Sequence, residues 1–170
     1  GLDRQIKHEL EKSKQSPKNA IVIGSLGRVG SGVIDLCEKM NIKMTKWDVL
    51  ETSKKQDFSE ILDHDLFFNC VVANKETPTF ISEGIIRRNQ NLTIVGDIAC
   101  DPGSRYNPIA IYDAVTTWSE PVARVSENPI LEVMAIDNLP SLLPLESSVD
   151  FASQLLPTLL ELDRLDVGVW

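Results

Sequence analysis

The chain has 170 residues, 42% apolar and 25% charged, the balance of a globular domain long enough to bury a substantial core. Its net charge of −8 argues against nucleic acid as a partner, because phosphate binding needs clustered Lys and Arg. No apolar run approaches the roughly 20 residues that a membrane helix needs, so no membrane partner is expected.

The three cysteines, Cys37, Cys70 and Cys100, lie in or beside apolar segments, which suits reduced thiols and a cytoplasmic or peroxisomal setting. Neither a Cys-x-x-Cys pair nor a His cluster suggests a metal. The first residues lack the basic-then-apolar layout of a signal peptide, and they do not begin with Met. The expectation is a segment of something larger.

In chain order, Leu2, Ile6 and Leu10 recur at four-residue spacing among charges and predict a polar helix with a thin apolar stripe. Residues 1–18 therefore read as a linker or crossing helix, broken at Ser16-Pro17. Residues 19–170 read as one domain. A buried-type strand (Ala20–Gly24) leads to a helix (Val29–Met40) and a second strand (Lys43–Asp48). A weak helix at Ser59–Leu62 precedes a strand at Leu66–Val72, and Phe80, Ile81, Ile85 and Ile86 predict a helix over Thr79–Arg88. Leu92–Asp97 reads as a strand, Ala99–Pro108 as a loop, and Val122–Val125 and Ile130–Ile136 as later strands. Glu146–Leu160 closes the domain as a helix with Phe151, Leu155 and Leu159 on one face.

Strands apolar on both faces and separated by helices indicate an α/β protein of the Rossmann type. The expected architecture is a doubly wound, mostly parallel sheet with helices on both faces, its first unit a right-handed βαβ crossover.

Gly24, Gly27, Gly30 and Gly32 follow the first strand and open its helix. Residues without Cβ let a pyrophosphate approach the backbone, and the helix aims its unpaired N–H groups at the turn. The spacing departs from the usual G-x-G-x-x-G, so the glycines are weak evidence by themselves. Asp48 strengthens them: it ends the second strand 24 positions after Gly24, where an acid can accept from both ribose hydroxyls and repel a 2′-phosphate. That favours NAD over NADP, although Lys54 and Lys55 lie nearby. Asp48 also reads as a plain turn cap. Arg28 is either a pyrophosphate partner or a solvent-facing cation.

Asp97 and Asp101, four residues apart at the end of a strand, can orient a cofactor amide or a substrate ammonium, while Asp101 also reads as a turn residue. Asn138 can meet a nicotinamide or ribose group or simply make a turn. His8 and His64 stand in polar surroundings and read as surface residues. No Ser-His arrangement supports hydrolase chemistry. The chain holds a cofactor cradle without a convincing acid–base pair.

Several strings resemble the fungal saccharopine dehydrogenase family (NAD⁺, L-lysine-forming). They are Gly27 to Gly32, Lys46-Trp47-Asp48, Glu51-Thr52, Asn69-Cys70, Asn107 to Tyr112, and Asp137 to Pro144, and the resemblance runs from Ala20 through Trp170. More distantly, Asp97 to Asp101 and Asn138 to Pro140 resemble alanine dehydrogenase and the nucleotide-binding part of transhydrogenase.

The resemblance implies an oxidoreductase acting on a CH–NH bond: oxidative cleavage of saccharopine to lysine and 2-oxoglutarate with NAD⁺ reduced, in lysine biosynthesis. It implies pyrophosphate contacts from Gly27 and Arg28 and adenosine-ribose contacts from Asp48 and Thr52. Val72, Ile98, Ile136, Asp137, Asn138 and Leu139 would line the rest of the cofactor site, with Ala99, Cys100 and Asp101 facing the amino-acid substrate. Val29 stands where the family often has a cysteine able to approach the counterpart of Cys70, and Val72 replaces an aromatic residue near the adenine. The family's acid–base Lys and His belong to an amino-terminal domain outside this chain, so no catalytic residue is expected here. The alternatives are an amino-acid dehydrogenase of the alanine dehydrogenase type and a non-catalytic nucleotide-binding module.

Overall fold

A computed structural model describes residues 1–13, 16–86 and 90–162. The last residues of the expected 79–88 helix, and the 163–170 end of the expected domain, lie outside the described residues. Contacts divide the chain after Asp137 into two compact units.

The first unit is built on a six-stranded sheet. Strands β1 (Asn19–Ile23), β2 (Lys43–Trp47), β3 (Leu66–Asn69), β5 (Ile94–Asp97), β7 (Ala123–Glu127) and β8 (Ile130–Met134) are ordered β2-β1-β3-β5-β8-β7. All neighbours are parallel except β7, which pairs antiparallel with β8 at the edge. The fold is α/β and mostly parallel, as the alternation of apolar runs predicts. The chain leaves β1 for β2 on one side and returns to β3 on the other, which puts a topological switch point between β1 and β3. Open α/β sheets bind ligands at such a point, beyond the carboxyl ends of the strands.

Register explains the core. Ile21, Phe67, Val95 and Val133 are neighbours across β1, β3, β5 and β8 and point to one face. They are fully buried with Ile61, Leu62, Phe80, Ile86 and Leu92 over them. Each such side chain contributes about 1.5–3 kcal/mol by leaving water. The cover on this face is a 3-10 turn (Ser59–Asp63) and the four-residue helix α4 (Glu83–Ile86). On the opposite face, Ala20 packs with Cys37 and Ile42, and with Val33 and Met40, along and just after helix α2 (Arg28–Lys39). Helices thus cover both faces, thinly on one.

The segment Thr79–Arg88 is not one helix. Ile81–Ser82 forms β4, paired in parallel with β6 (Ile109–Ala110), before α4 begins. The backbone N–H groups of Phe80 and Ile81 both donate to the Pro108 carbonyl, at 2.8 and 3.2 Å. That pairing buries Phe80 and Ile81 without a helix, and an apolar i, i+1, i+5, i+6 pattern does not distinguish the two outcomes.

Helix α1 (Leu2–Lys12) has no buried residue and is tied at the surface by an Asp3–Lys39 ion pair of 3.3 Å. In the second unit, helix α5 (Pro144–Leu159) also buries nothing: Phe151 and Leu159 of its expected apolar face are exposed. Among the described residues, no helix is long and apolar enough to cross a membrane.

Candidate functional site

The turn between β1 and α2 is set by two glycines. Gly24 has φ +88°, and a Cβ there would sit 2.7 Å from the Cys70 carbonyl oxygen. At Gly30 a Cβ would come within 2.1 Å of the Gly24 carbonyl oxygen, so the first turn of α2 can lie against β1 only without one. The Trp47 carbonyl, at the end of β2, accepts from Gly24 N and Ser25 N at 3.0 and 3.1 Å, fastening the turn to the neighbouring strand.

Gly27 differs. It is the N-cap of α2 with ordinary backbone angles (φ −76°, ψ 166°), and the nearest atom to a Cβ there lies 3.5 Å away. The fold does not require glycine at this position. Helix α2 also starts with no side-chain cap and no acidic residue in its first turn. Its free N–H groups and the positive end of its dipole remain available to an anion. Arg28, the first residue of the helix, is exposed and has no hydrogen-bond or ion-pair partner among the described residues.

Asp48 joins this turn to the end of β2. Its Oδ2 accepts from Leu26 N at 2.9 Å and its Oδ1 from Val49 N at 2.9 Å, while Glu51 closes a capping box on the Asp48 N–H at 2.7 Å, at the start of the short helix α3 (Val49–Thr52). The turn-cap reading of Asp48 is therefore correct geometrically, and it leaves room for the other: each carboxylate oxygen retains lone-pair capacity. Lys55, one of two lysines able to neutralise an added 2′-phosphate, is held by Glu60 at 2.7 Å and lies over the Trp47 ring. Thr52 is buried and donates its hydroxyl to the Asp48 carbonyl at 2.9 Å.

Gly24, Gly27, Asp48, Thr52 and Val72 line one cleft of about 390 Å³, with Cys70, Val71, Asn74, Thr77 and Phe80 among the other walls. Val72 is 93% exposed, an unusual position for valine and a free apolar surface at the cleft. Burial pushes the Cys70 thiol up to about 12, with Asp97 and then Cys37 adding to the shift, so it is a neutral wall rather than a nucleophile.

Val71 and Val72 also border a smaller cavity of about 180 Å³ lined by Asn69, Asp97, Ala99 and Asp101. Asp97 does not project a free carboxylate, contrary to the sequence reading that paired it with Asp101 as a ligand acid. It is 1% exposed and accepts from the Tyr112 hydroxyl at 2.6 Å, Asn69 Nδ2 at 2.9 Å and Cys100 N at 3.2 Å. Sequence reasoning gave Asn69 and Tyr112 no role of their own. The available signal was an amide ending an otherwise apolar strand. Cys100 lines neither space; its thiol contacts the Ala135 carbonyl at 3.1 Å. Its pKa is raised, chiefly by burial and then by Asp97.

Ile98, Ile136 and Asp137 line neither cavity, and Ile136 is buried beside Thr116. Asn138 and Leu139 fall in the second unit, where Asn138 takes a left-handed conformation (φ 70°) ahead of a 3-10 turn at Leu139–Leu142.

His8 is exposed as expected, whereas His64 is buried at 8% exposure. Its Nε2 pairs with Thr45 Oγ1 at 2.7 Å and its Nδ1 with the Glu60 carbonyl at 3.0 Å. Both ring nitrogens serve the packing of β2 and the 3-10 turn. Polar flanks hid this, because the partners are a strand residue 19 positions earlier and a backbone carbonyl. No group of metal-ligating side chains occurs among the described residues.

No protein-family model matches the chain. It is similar to proteins named saccharopine dehydrogenase (NAD(+), L-lysine-forming): that of Candida albicans at 44% identity over 99% of this chain and 47% of the relative. The Schizosaccharomyces pombe protein is 40% identical over 98% of this chain and 48% of its own length. That of Yarrowia lipolytica is 38% identical over 99% and 47%. The chain spans about half the length of the curated relatives it matches. Among solved structures, a cofactor (NAD+) bound 3-phosphoglycerate dehydrogenase of Entamoeba histolytica overlaps 54% of this chain and 35% of its own. Its TM-score of 0.37 and 16% identity are too low to bear on the site.

Proposed function

We propose that the chain, similar to saccharopine dehydrogenases over nearly all of its own length and about half of theirs, is the NAD-binding half of such an enzyme. The observation that carries the cofactor assignment is the uncapped start of α2 facing the cleft that Asp48 and Thr52 share. An anion there completes the helix N-terminus, and the absent Cβ of Gly27, which the fold does not need, gives that anion close access. Arg28 supplies a second, flexible positive charge. Asp48 takes the ribose hydroxyls and Val72 offers its exposed apolar face to the adenine.

When bound, NAD supplies a hydride acceptor for the CH–NH bond of saccharopine, and the products are L-lysine and 2-oxoglutarate. This chain's part is to bind and orient. Ala99 and Asp101 border a space that shares Val71 and Val72 with the cofactor cleft, where the nicotinamide end of the cofactor meets the amino-acid substrate. The acid–base groups for imine hydrolysis are assigned to the half of the relatives that this chain does not match, as the family resemblance implies. Cys100 stands in the Ala99–Asp101 turn as a substrate-side residue, and Ile98 before it belongs to the cofactor side. A cytoplasmic location belongs to the same reading, consistent with three free cysteines.

Calorimetric titration of the chain with NAD⁺, NADP⁺ and S-adenosylmethionine tests the cofactor assignment. NAD⁺ binds most tightly, and Asp48→Ala weakens it at least tenfold. Tighter binding of NADP⁺, or an Asp48→Ala variant with unaltered NAD⁺ affinity, removes the role given to Asp48. For the reaction, the chain is joined to the half of the Candida albicans relative that it does not match. NADH formation is then expected from saccharopine and not from alanine.

A further inference from the structure

The carboxylate of Asp97 is the most heavily engaged side chain at the ligand end of the sheet. It joins Asn69 on β3, Tyr112 beyond β6 and the backbone of Cys100 in one buried cluster. The Tyr112 pKa is pushed well above its ordinary value, by burial first and then by the hydrogen bond to Asp97, so the phenol stays protonated as the donor.

What the cluster holds is a strained turn. Cys100 sits at φ 45°, in the left-handed region that crowds a residue with a Cβ. In that conformation its N–H reaches Asp97 Oδ1 at 3.2 Å, tying the Ile98–Asp101 turn to the carboxylate. Strain of this kind persists where the surroundings over-determine it. The turn then presents Ala99 and Asp101 to the 180 Å³ cavity, which shares Val71 and Val72 with the cofactor cleft. Asn69 borders that cavity too; it is fully buried, and its Oδ1 has no hydrogen-bond partner among the described residues. An apolar filling would pack here at lower cost than a buried carboxylate and a half-satisfied amide, so the polar cluster has a use beyond cohesion.

We propose that Tyr112 and Asp97 are positioning residues: together they hold the Ile98–Asp101 turn in the shape that receives the end of the dinucleotide remote from the adenosine. This rests on the NAD reading of the cleft. The ADP portion is held by Gly27 at the pyrophosphate and by Asp48 and Thr52 at the ribose, and among the described residues these share no hydrogen bond with the cluster. The two ends of the ligand therefore respond separately.

Tyr112→Phe removes one hydroxyl and keeps the ring. The chain is titrated with NAD⁺ and, separately, with ADP, which lacks the nicotinamide end. Affinity for NAD⁺ falls about tenfold in the variant while affinity for ADP is unchanged. Adding Cys100→Gly, which takes a left-handed backbone without strain, recovers part of the NAD⁺ affinity. Equal losses for NAD⁺ and ADP, or no loss for either, overturn the inference and leave the cofactor reading intact. If the unaltered chain binds neither ligand, the cofactor reading fails and takes this inference with it. If Tyr112→Phe unfolds and Cys100→Gly does not restore it, the hydroxyl is a structural support and the positioning role is overturned.

Discussion

The two ends of the candidate site are made by different physical means. At the β1–β2 end, the cradle is backbone: a turn shaped by missing Cβ atoms, a bare helix start, and an aspartate that clips the turn to the next strand. At the β3–β5 end, the shape is made by side chains, with a buried carboxylate gathering donors from three separate segments. A backbone cradle tolerates no added volume at its close approaches, Gly24 and Gly30, while a side-chain cluster tolerates volume poorly and charge or lost donors worse. The first should fail by steric exclusion, the second by titration or the removal of a single polar atom.

The largest expected effect breaks the backbone end. Gly30→Ala places a methyl 2.1 Å from the Gly24 carbonyl oxygen, with the Gly24 carbonyl carbon at 2.8 Å, and neither can move without pulling α2 off the sheet. We expect a loss of about 3 kcal/mol, read as a lower urea midpoint. Gly32→Ala, two residues on in the same helix, meets nothing within 4 Å. It should stabilise by about 0.5–1 kcal/mol through helix propensity. If both substitutions behaved alike, helix propensity rather than the close approach would explain the glycine run.

That contrast bears on how much the sequence shows. The β1 strand, the glycine turn, α2 and Asp48 are legible because they are contiguous or separated by one predictable crossover, and period and spacing report on them directly. Even so, the spacing did not say which glycine the fold needs and which it does not; only the distances from Gly24, Gly27 and Gly30 to their neighbours separate those roles. The far end was hidden for a different reason. Asp97 meets Asn69 across 28 positions and Tyr112 across 15, and no local pattern encodes which polar residues pair after folding. His64 was misread for the same reason, since its partner Thr45 lies 19 residues away. Helix α4 was overextended because apolar residues at 80, 81, 85 and 86 satisfy a helix as well as a strand followed by one helical turn.

A smaller effect probes the side-chain end by titration. The Cys70 pKa is raised from an ordinary value of 9.0 to about 12, by burial and then by Asp97 and Cys37. The folded chain thus keeps a proton that the unfolded chain releases. The contribution is fully present below pH 9 and is lost as pH rises from 9 towards 12. Urea midpoints should decline over pH 9–10, and Cys70→Ala should flatten that decline. Tyr112, whose pKa is also raised, adds a further loss above its ordinary value of 10.0, so Tyr112→Phe should flatten the profile only beyond that point. A profile that Cys70→Ala leaves unchanged between pH 9 and 10 would show that the thiol is not held neutral by its surroundings.

The smallest expected effect on stability sharpens the comparison most. Gly27→Ala introduces a methyl at the N-cap of α2, with ordinary backbone angles and its nearest neighbour at 3.5 Å. Exchanging glycine for alanine at an N-cap costs about 0.5–1 kcal/mol, so the urea midpoint should shift slightly and the fold should persist. The methyl occupies the cleft that Gly24, Asp48 and Thr52 also line, on the approach of an anion to the helix start. ADP and NAD⁺ both carry a pyrophosphate, so both should lose affinity, by about tenfold or more. This differs from Tyr112→Phe, which should spare ADP. If Gly27→Ala bound ADP as well as the unaltered chain does, the pyrophosphate would lie elsewhere, and the backbone end would be a feature of the fold without a ligand to explain the glycine at its helix N-cap.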